Sequence, residues 1–406
     1  MRIGYITTED LSKSDGGRVH FRAIASELSR MGNRVCVIAP KYGPKHWVEF
    51  DSNDIEKLKI RVAGKNAFGL ACFELIMFSG LPWFKLKYRW DAILVRGGGP
   101  SVFMWLVFLL GRFLGMRVVL ECNGVTWAEF RSRGYSALFC AYAKWSAWSQ
   151  AKTASAIVGV TPAICDAYCK LAQRPANDGF PISNGVSTEK FPLADKREIR
   201  QELHWDASRT VFIMPSSFAP WHGLRELLEA IKMLPEEIRE KSLFVLPGDG
   251  EMRKSIEGVL FSSQLQNCVL MPGRLDRTQI YRTLVAADAG LFLCTDQEKI
   301  RFPGSPLKLF EYFGAGLPVI VSSDSYHSKL IPYYGLGMVL DSVTPQHLAC
   351  AIKEFIDGTI RYDRGRIRET AEKEFHWARV AQRVLAVLNN TEPELERWLI
   401  DCAVVP

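Results

Sequence analysis

The stretch Glu298–Tyr312 carries the densest set of groups able to handle an anion. Gly304, Ser305 and Pro306 read as a helix start, with Ser305 as N-cap and Pro306 at the first helical position. Lys308 falls in the first turn, where the helix dipole disfavours a cation. A cation set against its local field implies an anion nearby, such as a phosphate. Glu311 and Tyr312 follow at three and four residues, which puts them beside Lys308 on the helix surface, while Leu307, Phe310 and Ala315 take the core side. The plain alternative is a surface Lys–Glu pair, worth under about 0.5 kcal/mol.

Three other segments carry chemistry. Ser14-Asp15-Gly16-Gly17 precedes a helix that includes His20, and the adjacent Gly16 and Gly17 let backbone N–H groups approach a ligand at a helix N-terminus. The loop is read as touching donor phosphate or acceptor, with an ordinary tight turn as the alternative. Glu121 and Asn123 end an apolar run, and their spacing of two directs both to one side of a strand end. A carboxylate there holds or deprotonates a hydroxyl; Glu129 follows as a second candidate, and a capping pair is the alternative. Ser216-Ser217 and His222-Gly223 flank a third strand-to-helix turn suited to an anion, where Ser217 and His222 line a cleft or simply start a helix.

The elements that position these groups repeat a pattern. Apolar runs at Arg2–Thr7, Arg34–Ala39, Ala92–Val95, Arg117–Glu121, Ala156–Val160 and Pro181–Ser183 alternate with helical stretches such as Arg18–Arg30, Ser101–Gly115 and Tyr135–Lys152. The pattern restarts with runs at Val211–Pro215, Ser242–Pro247, Cys268–Met271, Ala289–Cys294, Pro318–Val321 and Gly337–Leu340. Helices are expected there at Leu224–Leu234, Arg277–Ala286, Pro306–Ala315 and Pro345–Ile356. Continuous apolar strands separated by helices predict an α/β protein with two doubly wound parallel sheets and a ligand cleft between the carboxyl ends of their strands. The polar stretch Ser187–Arg209 is the natural linker, giving domains 1–190 and 191–376. A helix over Ala378–Asn389 belongs to a closing segment, 377–406, free to pack on either domain.

A charged fraction of 23% beside 48% hydrophobic residues excludes a disordered or coiled-coil chain. The net charge of +7 is too small and dispersed to argue for nucleic acid, but it permits an anionic ligand or membrane surface. Scattered cysteines without a C-x-x-C pair predict a reducing, cytoplasmic compartment. The opening strand pattern is not that of a signal peptide. The most apolar run, Val102–Leu110, is far short of the about 20 residues a spanning helix needs, so no spanning helix is expected. Trp83–Trp90 interleaves aromatic and cationic residues, the pattern of a segment that lies in lipid headgroups, so peripheral membrane contact through 83–90 is expected. There is no Asp pair at i, i+2 for a divalent cation and no G-x-x-x-x-G-K-[ST] for a triphosphate, so no metal or other cofactor is expected.

Gly304–Gly316 followed by Leu317-Pro318-Val319-Ile320 resembles the donor-site signature of retaining glycosyltransferases of family 4. Gly16-Gly17, Asn184-Gly185-Val186, Phe218–Gly223, Gly248-Asp249-Gly250, Gly273 and Phe375-His376-Trp377 fit that family in order. The resemblance implies the GT-B fold, with two Rossmann-like domains and the nucleotide-sugar donor held mainly by the second. It implies that Glu311 binds the ribose hydroxyls and that Lys308 meets the diphosphate or the sugar. Gly16 and Gly17 then sit under the departing phosphate, and Ser217, His222, Gly248, Arg274, Gly304, Ser305, Pro306 and Leu307 line the donor. Glu121 and Lys308 take the catalytic places; His20, Asn123 and Glu129 take the acceptor side. The implied activity is hexosyl or N-acetylhexosaminyl transfer from a nucleotide-diphospho-sugar, UDP before GDP, to a glycan or lipid-linked acceptor in cell-surface polysaccharide or glycolipid synthesis. The sequence departs from the family where glutamates stand eight residues apart, because Pro303 lies eight before Glu311. Glu298 replaces the missing glutamate only through a reshaped loop, and Lys308, Arg274 or Arg301 supply the cationic charge. A UDP-sugar 2-epimerase-like enzyme on the same scaffold, and a non-catalytic nucleotide-sugar-binding subunit, are the alternatives.

Overall fold

The computed structural model describes residues 1–12, 16–43, 47–52, 54–359 and 361–403. Ser14 and Asp15 of the glycine loop, and 404–406 of the closing segment, lie outside them. The chain divides into two compact units: Met1–Gly185 with Phe302–Ser305 and Trp377–Pro406, and Val186–Arg301 with Pro306–His376.

The first unit is built on a seven-stranded parallel sheet. Its strands are β1 (Arg2–Thr7), β2 (Arg34–Lys41), β3 (Glu56–Arg61), β4 (Ala92–Arg96), β5 (Arg117–Cys122), β6 (Ala156–Gly159) and β7 (Gly179–Pro181), in the order β3-β2-β1-β4-β5-β6-β7. Its helices are α1 (Gly16–Arg30), α2 (Ala67–Tyr88), α3 (Met104–Phe113), α4 (Thr126–Ser132), α5 (Ala137–Thr153) and α6 (Pro162–Ala172). The central strands are buried along their whole length, as expected of apolar runs covered on both faces. The edge strand β3, Glu-Lys-Leu-Lys-Ile-Arg, escapes an apolar-run reading because a solvated edge carries charge.

The second unit has six parallel strands: β8 (Thr210–Ile213), β9 (Ser242–Pro247), β10 (Val269–Gly273), β11 (Ala289–Phe292), β12 (Val319–Ser322) and β13 (Gly337–Leu340), ordered β10-β9-β8-β11-β12-β13. Around them lie α7 (Lys196–Glu202), α8 (Leu224–Met233), α9 (Glu236–Glu240), α10 (Arg253–Ser262), α11 (Arg277–Ala286), α12 (Gln297–Arg301), α13 (Leu307–Gly314), α14 (His327–Tyr334), α15 (Pro345–Ile356) and α16 (Arg364–Glu374). The chain closes with α17 (Trp377–Leu388) and α18 (Arg397–Ala403). α17 packs on α1, β4 and β5 of the first unit, where Arg117 Nε donates to the Val387 carbonyl at 2.6 Å.

One helix bears on the membrane expectation. α2 has 22 residues and an 18-residue window of mean hydropathy 1.5, so by length and composition it is long and apolar enough to cross a membrane. The longest uninterrupted apolar run misses it, because Gly69, Glu74, Ser79 and Gly80 interrupt the segment. Its inward residues Phe73, Met77 and Leu81 are fully buried in the core under β1, β2 and β4. Trp83–Trp90 likewise does not lie on the surface as a unit: Phe84 and Trp90 are buried, and Trp90 packs directly against Gly4 of β1.

Candidate active site

In the first unit, strand register assembles a buried polar cluster. Thr7, Arg96 and Glu121 are register partners across β1, β4 and β5, so they form one row at the carboxyl ends of the strands. Arg96 Nη1 donates to Glu121 Oε1 at 3.0 Å, and Asn123 Nδ2 donates to the same oxygen at 3.0 Å. His20 Nε2 lies 2.8 Å from Glu121 Oε1, and the Tyr5 hydroxyl donates to Oε2. The other ring nitrogen of His20 faces the Asn184 side-chain oxygen, and the indole of Trp377 meets the ring edge-on at 5.5 Å. Burial pushes the Glu121 carboxyl up, but the charge and hydrogen bond of His20, with Arg96 and Tyr5, outweigh it and hold the group far below the usual carboxylate range. A carboxylate saturated by four donors is a poor proton acceptor, so this geometry speaks against Glu121 as a general base.

Gly16 and Gly17 open α1 above this cluster. A Cβ at Gly17 would stand 3.0 Å from Arg96 Nη2 and 3.3 Å from the Glu9 carboxylate, so the absent side chain leaves room for a charged pair beside the helix start. Glu129 does not join the cluster's hydrogen bonds described above; it pairs with Arg133 at 3.5 Å, one turn on.

The Gly-Ser-Pro bend is assembled differently from its sequence reading. Ser305 is not the N-cap: α13 begins at Leu307 with Pro306 in the cap position and no side-chain cap. The Ser305 hydroxyl instead accepts from the Asn184 backbone N–H at 2.9 Å, and the Asn184 amide donates to the Ser305 carbonyl. Pro303 is buried and its carbonyl accepts from the Thr161 hydroxyl at 2.7 Å. A Cβ at Gly304 would meet nothing within 4 Å, so the bend leaves open space there.

In the second unit, α13 carries Lys308 and Glu311. Glu311 Oε1 takes an ion pair from Arg277 Nη2 at 2.7 Å; the same guanidinium donates to the Tyr281 hydroxyl at 2.5 Å and lies 5.1 Å from the Tyr281 ring centre. Burial raises the Glu311 pKa from its ordinary value, with Arg277 and Lys308 opposing it. Burial also lowers the Lys308 ammonium to about 8, with Glu311 and Cys294 resisting the fall. Burial, with Lys308 and then Lys299, pushes His222 down to about 3, so it is neutral at physiological pH. His222 Nε2 is 3.5 Å from the Ser217 hydroxyl, and Lys299 lies 5.4 Å from the Trp221 ring centre. Lys308 and Arg277 thus face the same carboxylate, Glu311, so that two partly desolvated cations share one acid.

The glycine turns here have a local reason. Gly248 sits at φ 148°, and a Cβ would come within 1.9 Å of the Ser216 carbonyl, so the ends of β8 and β9 touch through bare backbone. That contact fixes the Ser216–Ser217 turn. Arg274 is largely exposed, 3.7 Å from Asp249. Glu298 sits early in α12, its backbone N–H bound by Asp296. The partners Arg277 and Arg96 are absent from the site as read in sequence. Their signals are a cation at the first position of a helix with a capping box, Asp276 and Gln279, and a cation ending an apolar strand.

Both units follow the Rossmann-like plan, and together they are a GT-B fold related to glycosyltransferase families. Residues 14–190 match the family described as Glycosyltransferase Family 4, and residues 195–374 match Glycosyl transferases group 1. The chain is 24% identical over 174 residues to the amylovoran biosynthesis glycosyltransferase AmsK of Erwinia amylovora; the match spans 43% of this chain and 41% of that protein. The chain thus spans about two-fifths of the length of the curated relative it matches. Among solved structures, HepE of Anabaena in complex with UDP superposes with TM-score 0.73 at 18% identity, covering 96% of this chain and 100% of that one. Sucrose-phosphate synthase of Thermosynechococcus elongatus gives TM-score 0.74 at 17% identity over 96% and 98%. WaaG, a glycosyltransferase involved in lipopolysaccharide biosynthesis, gives 0.69 at 15% over 95% and 99%.

Proposed function

We propose that the chain is a metal-independent, retaining glycosyltransferase of the cytoplasm. It moves a hexosyl or N-acetylhexosaminyl group from a nucleotide-diphospho-sugar, UDP-sugar preferred, to a hydroxyl of a glycan or lipid-linked acceptor in polysaccharide or glycolipid synthesis. The observation that carries this reading is the group Lys308, Glu311 and Arg277 around the start of α13, in the segment that matches glycosyl transferases group 1. Glu311 takes the ribose hydroxyls, and Lys308 takes the diphosphate. His222 and Ser217 donate hydrogen bonds beside it, and the UDP complex of HepE supports UDP as the nucleotide. The hard step is cleavage of the bond between the sugar carbon and the phosphate oxygen, which leaves negative charge on the diphosphate. Lys308 and the backbone N–H groups at the start of α13 stabilise that charge as it forms. The acceptor hydroxyl attacks on the face the diphosphate leaves, and its proton passes to the departing phosphate oxygen. Glu121 holds Arg96, His20 and Asn123 in place on the acceptor side and takes no proton.

A nucleotide-sugar panel tests the proposal by thermal shift followed by sugar transfer to acceptor extracts. At a hundred times the dissociation constant a ligand stabilises by about 2.7 kcal/mol, a rise of several degrees. The proposal expects UDP-sugars to give that rise, and UDP to be released only with acceptor present. An epimerised nucleotide sugar without acceptor would establish the epimerase instead. Binding without nucleotide release in any extract would establish a non-catalytic subunit, with Pro303 as its mark.

A further inference from the structure

Three helices of the first unit share one layer over the sheet. α2 packs on α3 and α3 on α5, and all three send side chains into the same core beneath. What they leave outside is unusual. On α2 the exposed large residues are Phe68, Leu75, Ile76, Trp83 and Leu86, a stripe at helical spacing. On α3 they are Leu109 and Phe113, and on α5 they are Leu138, Trp145 and Trp148. Phe113 is 87% exposed, Leu138 83% and Leu86 78%, so these side chains stand in water rather than in a groove of the fold. Large apolar side chains exposed together on helices that pack side by side mark a docking site.

Charge selects the occupant. The only acid in the three helices is Glu74, which is fully buried and accepts backbone N–H groups from Val102 and Phe103. The exposed charges of the layer are therefore all positive: Lys87, Arg112, Lys144 and Lys152. Beside α5, Arg131, Lys144 and Tyr135 line a hollow of about 310 Å³. Apolar and tryptophan side chains with a purely cationic complement match the boundary between acyl chains and anionic headgroups.

The geometry points to this outer layer of α2, α3 and α5 as a docking surface for an anionic lipid bilayer, on which the protein lies without spanning it. α2 does not leave the fold to insert, because its inward side is core. The surface is broader than 83–90 and differs from it, since Phe84 and Trp90 of that segment face inward. Docking does not depend on the glycosyl-transfer reading, so the two fail separately.

The test is co-sedimentation of the full chain with vesicles of phosphatidylcholine alone or enriched in phosphatidylglycerol, read together with circular dichroism and cooperative thermal unfolding as controls for folding. Binding is expected to the phosphatidylglycerol vesicles, with tryptophan emission shifted to the blue and quenched by brominated acyl chains. Leu86→Glu, Phe113→Glu and Leu138→Glu together are expected to cut partitioning at least tenfold while leaving the circular dichroism spectrum and the cooperative unfolding transition unchanged. Replacing Lys87, Lys144 and Lys152 by Gln is expected to lower it about fivefold per lysine on anionic vesicles only. If the triple glutamate variant does not fold, Leu138→Glu alone and the bromolipid quench of the unaltered chain decide. Absence of vesicle binding overturns the inference, as does binding that these substitutions leave unchanged. So does self-association that the substitutions abolish in a chain that ignores lipid, which would assign the face to a second copy.

Discussion

If Lys308 is the group that neutralises a nucleotide diphosphate, its depressed pKa makes binding depend on pH. In the empty site the ammonium titrates at about 8 because burial strips its water. A bound diphosphate favours the charged form and returns the pKa toward the ordinary value of about 10.4. Binding near pH 8 therefore takes up protons, and affinity must fall as pH rises through that value. With a pKa of about 8, roughly nine-tenths of the lysine is charged at pH 7 and one-tenth at pH 9, so the UDP dissociation constant rises about tenfold across that interval. Isothermal titration calorimetry in buffers of different ionisation heat measures both the affinity and the proton uptake. Lys308→Met is expected to bind about 10–100-fold more weakly, the loss of one charged hydrogen bond, and to lose the uptake. Ligand ionisation is common to both proteins, so the difference between their profiles isolates the lysine. Lys308→Arg keeps its charge throughout and flattens the profile. Equal pH profiles for the native chain and Lys308→Met would refute the reasoning.

Glu311→Ala leaves Arg277 without its carboxylate and removes the partner for ribose, so UDP affinity is expected to drop about 10–100-fold by calorimetry; an unchanged constant removes Glu311 from the site. Glu121→Gln withdraws the charge shared by His20 and Arg96, while Glu9 still holds Arg96. The loss at neutral pH is expected near 3 kcal/mol, or about a hundred-fold faster native-state hydrogen exchange at β4 and β5. The Glu121 pKa is depressed in the fold, so its stabilisation is present above the unfolded glutamate pKa of about 4.3 and the gap between native and variant narrows below it; a gap that widens on acidification contradicts the assignment. Glu74 has the opposite sign. Burial raises its pKa, so ionisation costs stability as pH rises, and Glu74→Gln is expected to gain on the native chain in urea titrations as pH climbs above the unfolded glutamate pKa of about 4.3.

The amino-acid order by itself determined the second sheet and all of the first but its charged edge strand β3. Runs such as Leu243–Pro247 and Ile3–Ile6 are short and uninterrupted by charge, and the strands they form are buried as expected of a sheet covered on both faces. Arg277–Ala286 and Pro345–Ile356 announce themselves through a capping box and a Thr-Pro start. The neighbourhood of Lys308 and Glu311 was legible for the same reason: both lie on α13, and helical spacing is a local property.

What the tertiary structure alone decided are the pairings between distant residues. Nothing within β4 or α11 says that Arg96 meets Glu121 or that Arg277 meets Glu311; strand register and helix packing bring them together. Asn184, more than a hundred residues away in sequence, occupies Ser305 and leaves the cap of α13 to Pro306. The two sides of Trp83–Trp90 separate only when α2 lies on the sheet, since aromatic rings read alike in a sequence whether they fill a core or face the solvent. Local spacing fixes which residues share a face, whereas burial and partner depend on what the fold sets against that face.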